Sequence, residues 1–314
     1  MSQKTTISRR RKKSLYLRIL ENYQLYLFLL PAMLYLLVFH YFPMAGIVIA
    51  FKDFRPSEGF FGSPWVGMKH FIRFFNMPMF KVIIKNTLTL SLYSLAAGFP
   101  LPIILALALN SCPSLRFTKI VQTVTYAPHF ISTVVLVGMI NIFFAPSFGI
   151  VGNTLRKLNL LEGPLLVLNE AAWFPHLYVW SGVWAHLGWN SIIYLGALAG
   201  VDQELYEAAD MDGANRLQKI LHIDLPAILP TIVILLILDT GSIMNVGFEK
   251  VFLMQNATNL STSEVISTYV YKTGIGQGNF SLATAIGLFN SVINFIILVL
   301  VNSIARKLGE ISLW

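Results

Sequence analysis

The chain has 314 residues, 55% of them hydrophobic and 12% charged, with a mean hydropathy of +0.65. A soluble domain carries about twice that charged fraction, so a water-soluble globule is excluded. The formal charge of +8 does not point to nucleic acid, because its tightest cluster, RRRKK at 9–13, flanks the first apolar run, where positive charge keeps a terminus on the cytoplasmic side.

Apolar runs of roughly 20 residues recur, each long enough to cross a hydrocarbon core as a helix. Stretches such as IVILLILDTGSIM and FNSVINFIILVLV lack the alternation that a transmembrane barrel strand needs. The expectation is an all-α integral membrane protein with six transmembrane helices and both termini cytoplasmic. The spans fall at about 25–51, 82–110, 117–145, 175–200, 227–246 and 282–304. Pro31 and Pro43 are expected to bend the first. That run is too long for a cleavable signal peptide and no A-x-A-like site closes it. The parts are a basic cytoplasmic tail at 1–24, a first helix with its outer loop at 25–81, and a five-helix transport core at 82–314. Cys112 is the only cysteine, which leaves neither an internal disulfide nor a cysteine-built metal site.

The segments assigned to the outer face are long and rich in Gly, Pro and aromatics. They are FKDFRPSEGFFGSPWVGMKHFIRFF after span one, 147–173 between spans three and four, and 249–280 between five and six. They hold Lys52, Lys69, Arg73 and Lys250. Gly274, Gly276 and Gly278 read as a flexible turn. Asn256, Asn259 and Asn279 head N-x-S/T triplets, a pattern common by chance.

The connection between spans four and five is different. ELYEAADMDGANRLQKILHIDLP, residues 204–226, concentrates charge on helix-favouring sequence. Asp202 is placed to cap a helix from Gln203. Leu205, Ala208, Ala209 and Asp212 share one stripe. Gly213 is placed to end that helix in a left-handed conformation. Asn215 begins a second helix, with Leu217, Ile220 and Leu221 as its apolar contacts, and Pro226 is expected to interrupt the chain before span five. Physics alone supports two readings equally: a wedge for another protein's groove, or an amphipathic linker on lipid headgroups.

The residues in this segment also carry a resemblance. Glu207-Ala208-Ala209, three residues, Gly213, nine residues, then Ile223-x-Leu225-Pro226 resembles the EAA signature of permeases of ATP-binding cassette importers. Gln203 departs from it, since many relatives place proline there. GSIMNVGFEKVFLMQN, SEVISTYVYKTGI, ATAIGLFNSVINF and the closing GEISLW are similar to polysaccharide-type permeases of the maltose-permease class, the group of the alginate and rhamnogalacturonan importers. The resemblance implies a type I importer fold in a prokaryotic cell membrane. It implies a coupling helix built by Glu207, Ala208, Ala209, Asp212, Gly213, Ile223, Leu225 and Pro226, docked on an ATPase. The implied partners are a second permease in a heterodimer, two ATPases that bind ATP and Mg2+, an external solute-binding protein and an oligosaccharide. Consistent with this, the chain has no G-x-x-x-x-G-K-[ST] to cradle ATP phosphates, and it is expected to be no enzyme and to hold no cofactor or metal.

Within the spans, Asp239 is costly in hydrocarbon. Its carboxylate is placed either to hold a neighbouring helix, the reading slightly favoured, or to bind sugar hydroxyls. Trp184, Trp189, Asn190, Asn245 and Asn290 are the other candidates for a substrate path, since aromatic faces stack on sugar rings and amides bond their hydroxyls. Trp180 reads better as an interfacial anchor, and His129, Asn141 and Asn294 are ambiguous. The alternative is a secondary carrier using Asp239 as a proton site. A membrane enzyme is disfavoured by the absence of G-x-S-x-G, H-E-x-x-H and paired intramembrane aspartates.

Overall fold

A computed structural model describes residues 22–309. The RRRKK cluster, most of the 1–24 tail and residues 310–314 of GEISLW lie outside the described residues. The chain divides into two compact units, with the boundary between Ile49 and Ala50.

The first unit is one long helix. It begins as α1 (Tyr23–Leu36), passes through a π-turn at Leu37–Tyr41 and a last α-turn at Phe42–Met44, and tightens to 3-10 geometry from Ala45. Pro31 sits inside it without a break. The ring of Pro43 would press on the carbonyl four residues earlier, at Phe39, and the π-turn widens the backbone at that place. Leu25, Phe28, Phe39 and Phe42 are all exposed, as suits a helix apolar all round.

The second unit opens with an ordered loop. Lys52 and Trp65 form a single antiparallel bridge, and Phe51 stacks on Trp65 at 5.7 Å. The amide of Phe54 donates to Ser281 Oγ at 2.8 Å, which ties the loop to the last helix. Helix α2 (Lys69–Phe75) follows. The second span is α3 (Met79–Gly98) continued by α4 (Pro100–Asn110).

The third span departs from the expected single helix over 117–145. It is two helices, α5 (Leu115–Tyr126) and α6 (Thr133–Phe143), bent by 99° across a 3-10 turn. Pro128 starts that turn, Ile131 is extended, and the Ser132 hydroxyl caps α6 by accepting from Val135 N–H. Hydropathy carries through this break, but the backbone does not. Helix α7 (Ile150–Lys157) lies in the following segment.

Helix α8 (Phe174–Leu198) is the hub and packs on α3, α4 and α5. Its 25 residues reach about 37 Å. Gly188 permits the closest approach, since a Cβ there would fall 2.3 Å from the carbonyl oxygen of Thr125 on α5. After α8 come the short helices α9 (Gln203–Met211) and α10 (Arg216–Lys219), then α11 (Leu225–Gly241). Pro226 does not interrupt the chain as expected. A π-turn at Ile220–Asp224 takes up the lost hydrogen bond, so the helix is continuous from Arg216 to Gly241. It stops at Gly241 rather than near Val246.

The 249–280 stretch is folded rather than loop. It carries α12 (Phe248–Met254) and α13 (Ile266–Tyr271), whose Val251, Met254 and Ile266 are buried. Asn259 and Asn279 serve local structure: Asn259 Nδ2 donates to Met254 O at 3.0 Å, and Asn279 Oδ1 accepts from Leu282 N–H at 3.3 Å. Gly274 is a packing residue, since a Cβ there would meet that of Ala283 at 2.9 Å, while Gly278 alone of the three has a positive φ, 68°. Helix α14 (Phe280–Gly309) ends the described chain and packs on α11 and α13.

Among the described residues, four helices are long and apolar enough to cross a membrane: Tyr23–Phe51, Met79–Asn110, Arg216–Gly241 and Phe280–Lys307. A fifth crossing results if the bent pair α5 and α6 is one span. Leu92, Ile104, Val134, Leu238, Phe295 and Leu300 stay exposed on these helices. Lipid tails are as apolar as leucine, so these residues need no burial within the chain.

Candidate functional site

The charged connection forms a helix, a turn and a helix, each end satisfied locally. Asp202 accepts from Glu204 N–H at 3.0 Å and starts α9. Gly213, at φ 71°, ends it. Ala214 N–H reaches Ala209 O at 2.9 Å and Gly213 N–H reaches Asp210 O at 3.1 Å, which satisfies carbonyls that a helix end leaves open. Asn215 and Gln218 then cap α10 reciprocally, at 2.7 and 3.0 Å. A salt bridge from Lys219 to Asp210 closes the two short helices on each other.

Three residues that sequence reading missed join this unit to the spans. Asp224, in the π-turn before α11, is 2% exposed. Its carboxylate accepts from the hydroxyl of Tyr206 on α9 and from Asn110 Nδ2 at the end of α4, 3.2 Å away. Asn110 Nδ2 also lies 3.5 Å from the Tyr206 oxygen. Burial, and next the bond to Asp224, push the Tyr206 phenol up to about 12, so it remains a donor. The outward face is open: Glu207, Ala208, Asp212 and Gly213 are exposed, and so are Leu205, Met211, Leu217 and Leu221. Leu217 and Leu221 therefore do not pack within the chain as expected. Ile223 and Leu225 are half-buried at the start of the span, with Pro226 exposed beside them.

The second feature is a cavity of about 550 Å³ of mixed polar and apolar lining between α3, α8, α11 and α12. Asn190, Asp239 and Asn245 of the expected path line it. Asn290 is next to it, donating to Asn245 Oδ1 at 2.8 Å, and Asn294 Nδ2 donates to the same oxygen at 3.1 Å. The other two candidates lie elsewhere. Trp184 lines an apolar groove of about 600 Å³ with Phe143 and Trp180. Trp189 stacks on His129, ring centroids 4.2 Å apart. The Asp239 carboxylate makes no hydrogen bond or salt bridge among the described residues, and the residue is exposed.

Lys250 and Glu249 of α12 also line the cavity, with His186 and Tyr178. The Lys250 ammonium donates to Tyr178 O at 2.7 Å and sits 4.7 Å from the centre of the Tyr178 ring. Burial pushes its pKa down to about 8. The sequence signal for this residue was a lone cation inside the apolar run VGFEKVFLM.

Several helices apolar enough to cross a membrane, a cavity walled by α3, α8, α11 and α12, and a capped, open-faced connection between α8 and α11 are parts that a transport permease needs. Residues 98–310 match the family described as binding-protein-dependent transport system inner membrane component, and the chain belongs to that family. It is the permease component of an ATP-binding cassette importer, a multi-pass membrane protein, and its relatives are transport subunits rather than enzymes.

Among its relatives in Bacillus subtilis (strain 168), the polygalacturonan/rhamnogalacturonan transport system permease protein YteP is 45% identical over 305 residues, spanning 96% of this chain and 93% of YteP. Protein LplB is 44% identical over 290 residues, 92% of this chain and 91% of LplB. A crystal structure of a bacterial ABC transporter involved in the import of the acidic polysaccharide alginate has a chain 41% identical to this one. It superposes with a TM-score of 0.87 over 94% of this chain and 99% of its own. A second structure holds that transporter with an alginate pentasaccharide-bound periplasmic protein, with a TM-score of 0.87 at 39% identity. The fold is thus that of a type I importer permease. None of these matches supports a proton-coupled carrier.

Proposed function

We propose that this chain is one half of the membrane pathway of an importer that brings oligosaccharides from polysaccharide breakdown into a prokaryotic cell. Six spans cross the cell membrane, the sixth being supplied by α8, with both termini cytoplasmic. The tail at 1–24, the first helix and outer loop at 25–81, and the core at 82–314 act as separate parts. A second, different permease chain completes the pathway. Two cytoplasmic ATPases bind ATP and Mg2+, and an external solute-binding protein delivers the sugar to the outer segments.

The observation that carries this reading is the wedge at 203–224. Its Glu207, Ala208 and Met211 are exposed on a frame capped at Asp202, Gly213 and Asn215. The small Ala208 and Ala209 leave a thin profile for an ATPase groove, and Glu207 supplies a charge beside it. Closure of the ATPases pushes this wedge, and the Tyr206–Asp224–Asn110 cluster passes the displacement to α4 and α11, which rocks the spans around the cavity. Asn190, Asp239, Asn245 and Asn290 bond sugar hydroxyls along the way. Trp184 and Trp189 belong to the path only where the second permease brings it to their faces.

Membrane vesicles holding this chain alone should take up no oligosaccharide, with or without a proton gradient. Co-expression with the second permease, ATPase and binding protein should restore ATP-dependent uptake. Uptake by the chain alone would contradict the proposal.

A further inference from the structure

Helix α2 (Lys69–Phe75) has three faces rather than two. At about 3.6 residues per turn, His70, Phe71 and Phe74 share the face that is buried in the chain. Met68 at the N-cap, Ile72 and Phe75 form a second stripe, apolar and exposed. Lys69 and Arg73 form a third, also exposed. Arg73 makes no hydrogen bond or ion pair among the described residues. The Lys69 ammonium has Asp53 beside it, 4.0 Å away. An open apolar stripe next to a basic one is the pattern of a helix lying in a membrane interface. The position of α2 fits that surface. Phe71 stands 5.4 Å from Phe51, the last residue of the first helix able to cross a membrane. The second such helix starts at Met79, shortly after Phe75. On the buried side, Phe71 packs on Ala285 and Phe74 on Phe289 at 5.5 Å, both near the start of α14. That helix has 30 residues, about 45 Å, against a hydrocarbon core of about 30 Å, so its ends reach the membrane surfaces.

We infer that α2 lies in the membrane interface, with Met68, Ile72 and Phe75 among acyl chains and Lys69 and Arg73 on the phosphate of an anionic phospholipid. The inference needs only the membrane-crossing helices and stands apart from the importer reading. A headgroup phosphate lies directly above the acyl chains of the same molecule, so adjacent apolar and basic stripes meet both parts of one lipid. The helix itself carries no acid to repel that phosphate.

The test uses the full-length chain in lipid nanodiscs, with Cys112→Ser and a fluorescent nitrobenzoxadiazole group attached at Ile72→Cys. Two quenchers are compared at equal mole fraction: phosphatidylglycerol and phosphatidylcholine, each carrying a nitroxide near the top of one acyl chain. Both should quench the probe, the anionic lipid about threefold more efficiently, while aqueous iodide should leave it bright. Adding Lys69→Gln and Arg73→Gln should remove that preference and keep quenching by phosphatidylcholine as in the parent, which also certifies an intact fold. Quenching by iodide, or by none of the three agents, would overturn the inference by placing the stripe in water or against protein. Equal quenching by both lipids in the parent, a preference that survives the two added changes, or loss of quenching by both lipids after them would each overturn it as well.

Discussion

The hydroxyl of Tyr206 donates to the carboxylate of Asp224, eighteen residues ahead, and so fastens the first helix of the wedge to the root of the span that follows. With Asn110 as the third member, the bond joins three separate helical segments through one buried acid.

Removing this bond should separate hydrolysis from transport. In Tyr206→Phe, Asp224 keeps one donor, and the loss of a buried partner costs about 1–3 kcal/mol. The complex should still assemble and hydrolyse ATP, but the ATP consumed per sugar imported should rise several-fold. An unchanged ratio, measured in proteoliposomes, would remove the cluster from the force path.

Gly188→Ala should damage the helical core itself. The added carbon would lie 2.3 Å and 2.4 Å from the carbonyl oxygen and carbon of Thr125. Backbone cannot move aside as a side chain does, so a loss of at least about 1–3 kcal/mol is expected. The thermal midpoint of the detergent-solubilised protein should fall, and Thr125→Ala in the same chain should not restore it.

The loop at 52–67 should weaken in acid. His70 is buried, its Nε2 bonded to Lys52 O at 3.1 Å, while Nδ1 has no partner. Burial holds its pKa below the usual 6.5. The neutral ring is therefore the folded form, and stability is full above pH 6.5 and is lost as pH falls from there towards the depressed value. Proteolysis of residues 52–67 in vesicles should accelerate over that interval, and His70→Gln should flatten the response.

The caps of the wedge could be read from sequence because each depends on neighbours. Asp202, Gly213 and Asn215 act on amides within five residues, and so their spacing alone defines two short helices. The Tyr206–Asp224–Asn110 cluster could not, since Asn110 and Asp224 are 114 residues apart and only packing brings them together. The third span misled because hydropathy averages transfer into lipid over a long window, which Pro128 and Ser132 barely lower, whereas backbone direction is what they change. Pro226 misled in the opposite sense. The π-turn before it removes the clash that would have ended the helix. Of the path residues, Asn190, Asp239 and Asn245 share one cavity, but the two tryptophans do not. Helical spacing places a residue on a stripe without saying which neighbour covers that stripe.

The central claim is that the exposed wedge at 203–224 meets an ATPase on the cytoplasmic side. It is tested most directly by a single cysteine, Ala208→Cys, in a chain whose Cys112 has been changed to Ser. Oxidation of the assembled complex should join this chain to an ATPase subunit carrying cysteine in its groove, while an impermeant maleimide added outside sealed right-side-out vesicles should leave position 208 unlabelled. Labelling from outside, with no cross-linked product, would contradict the account.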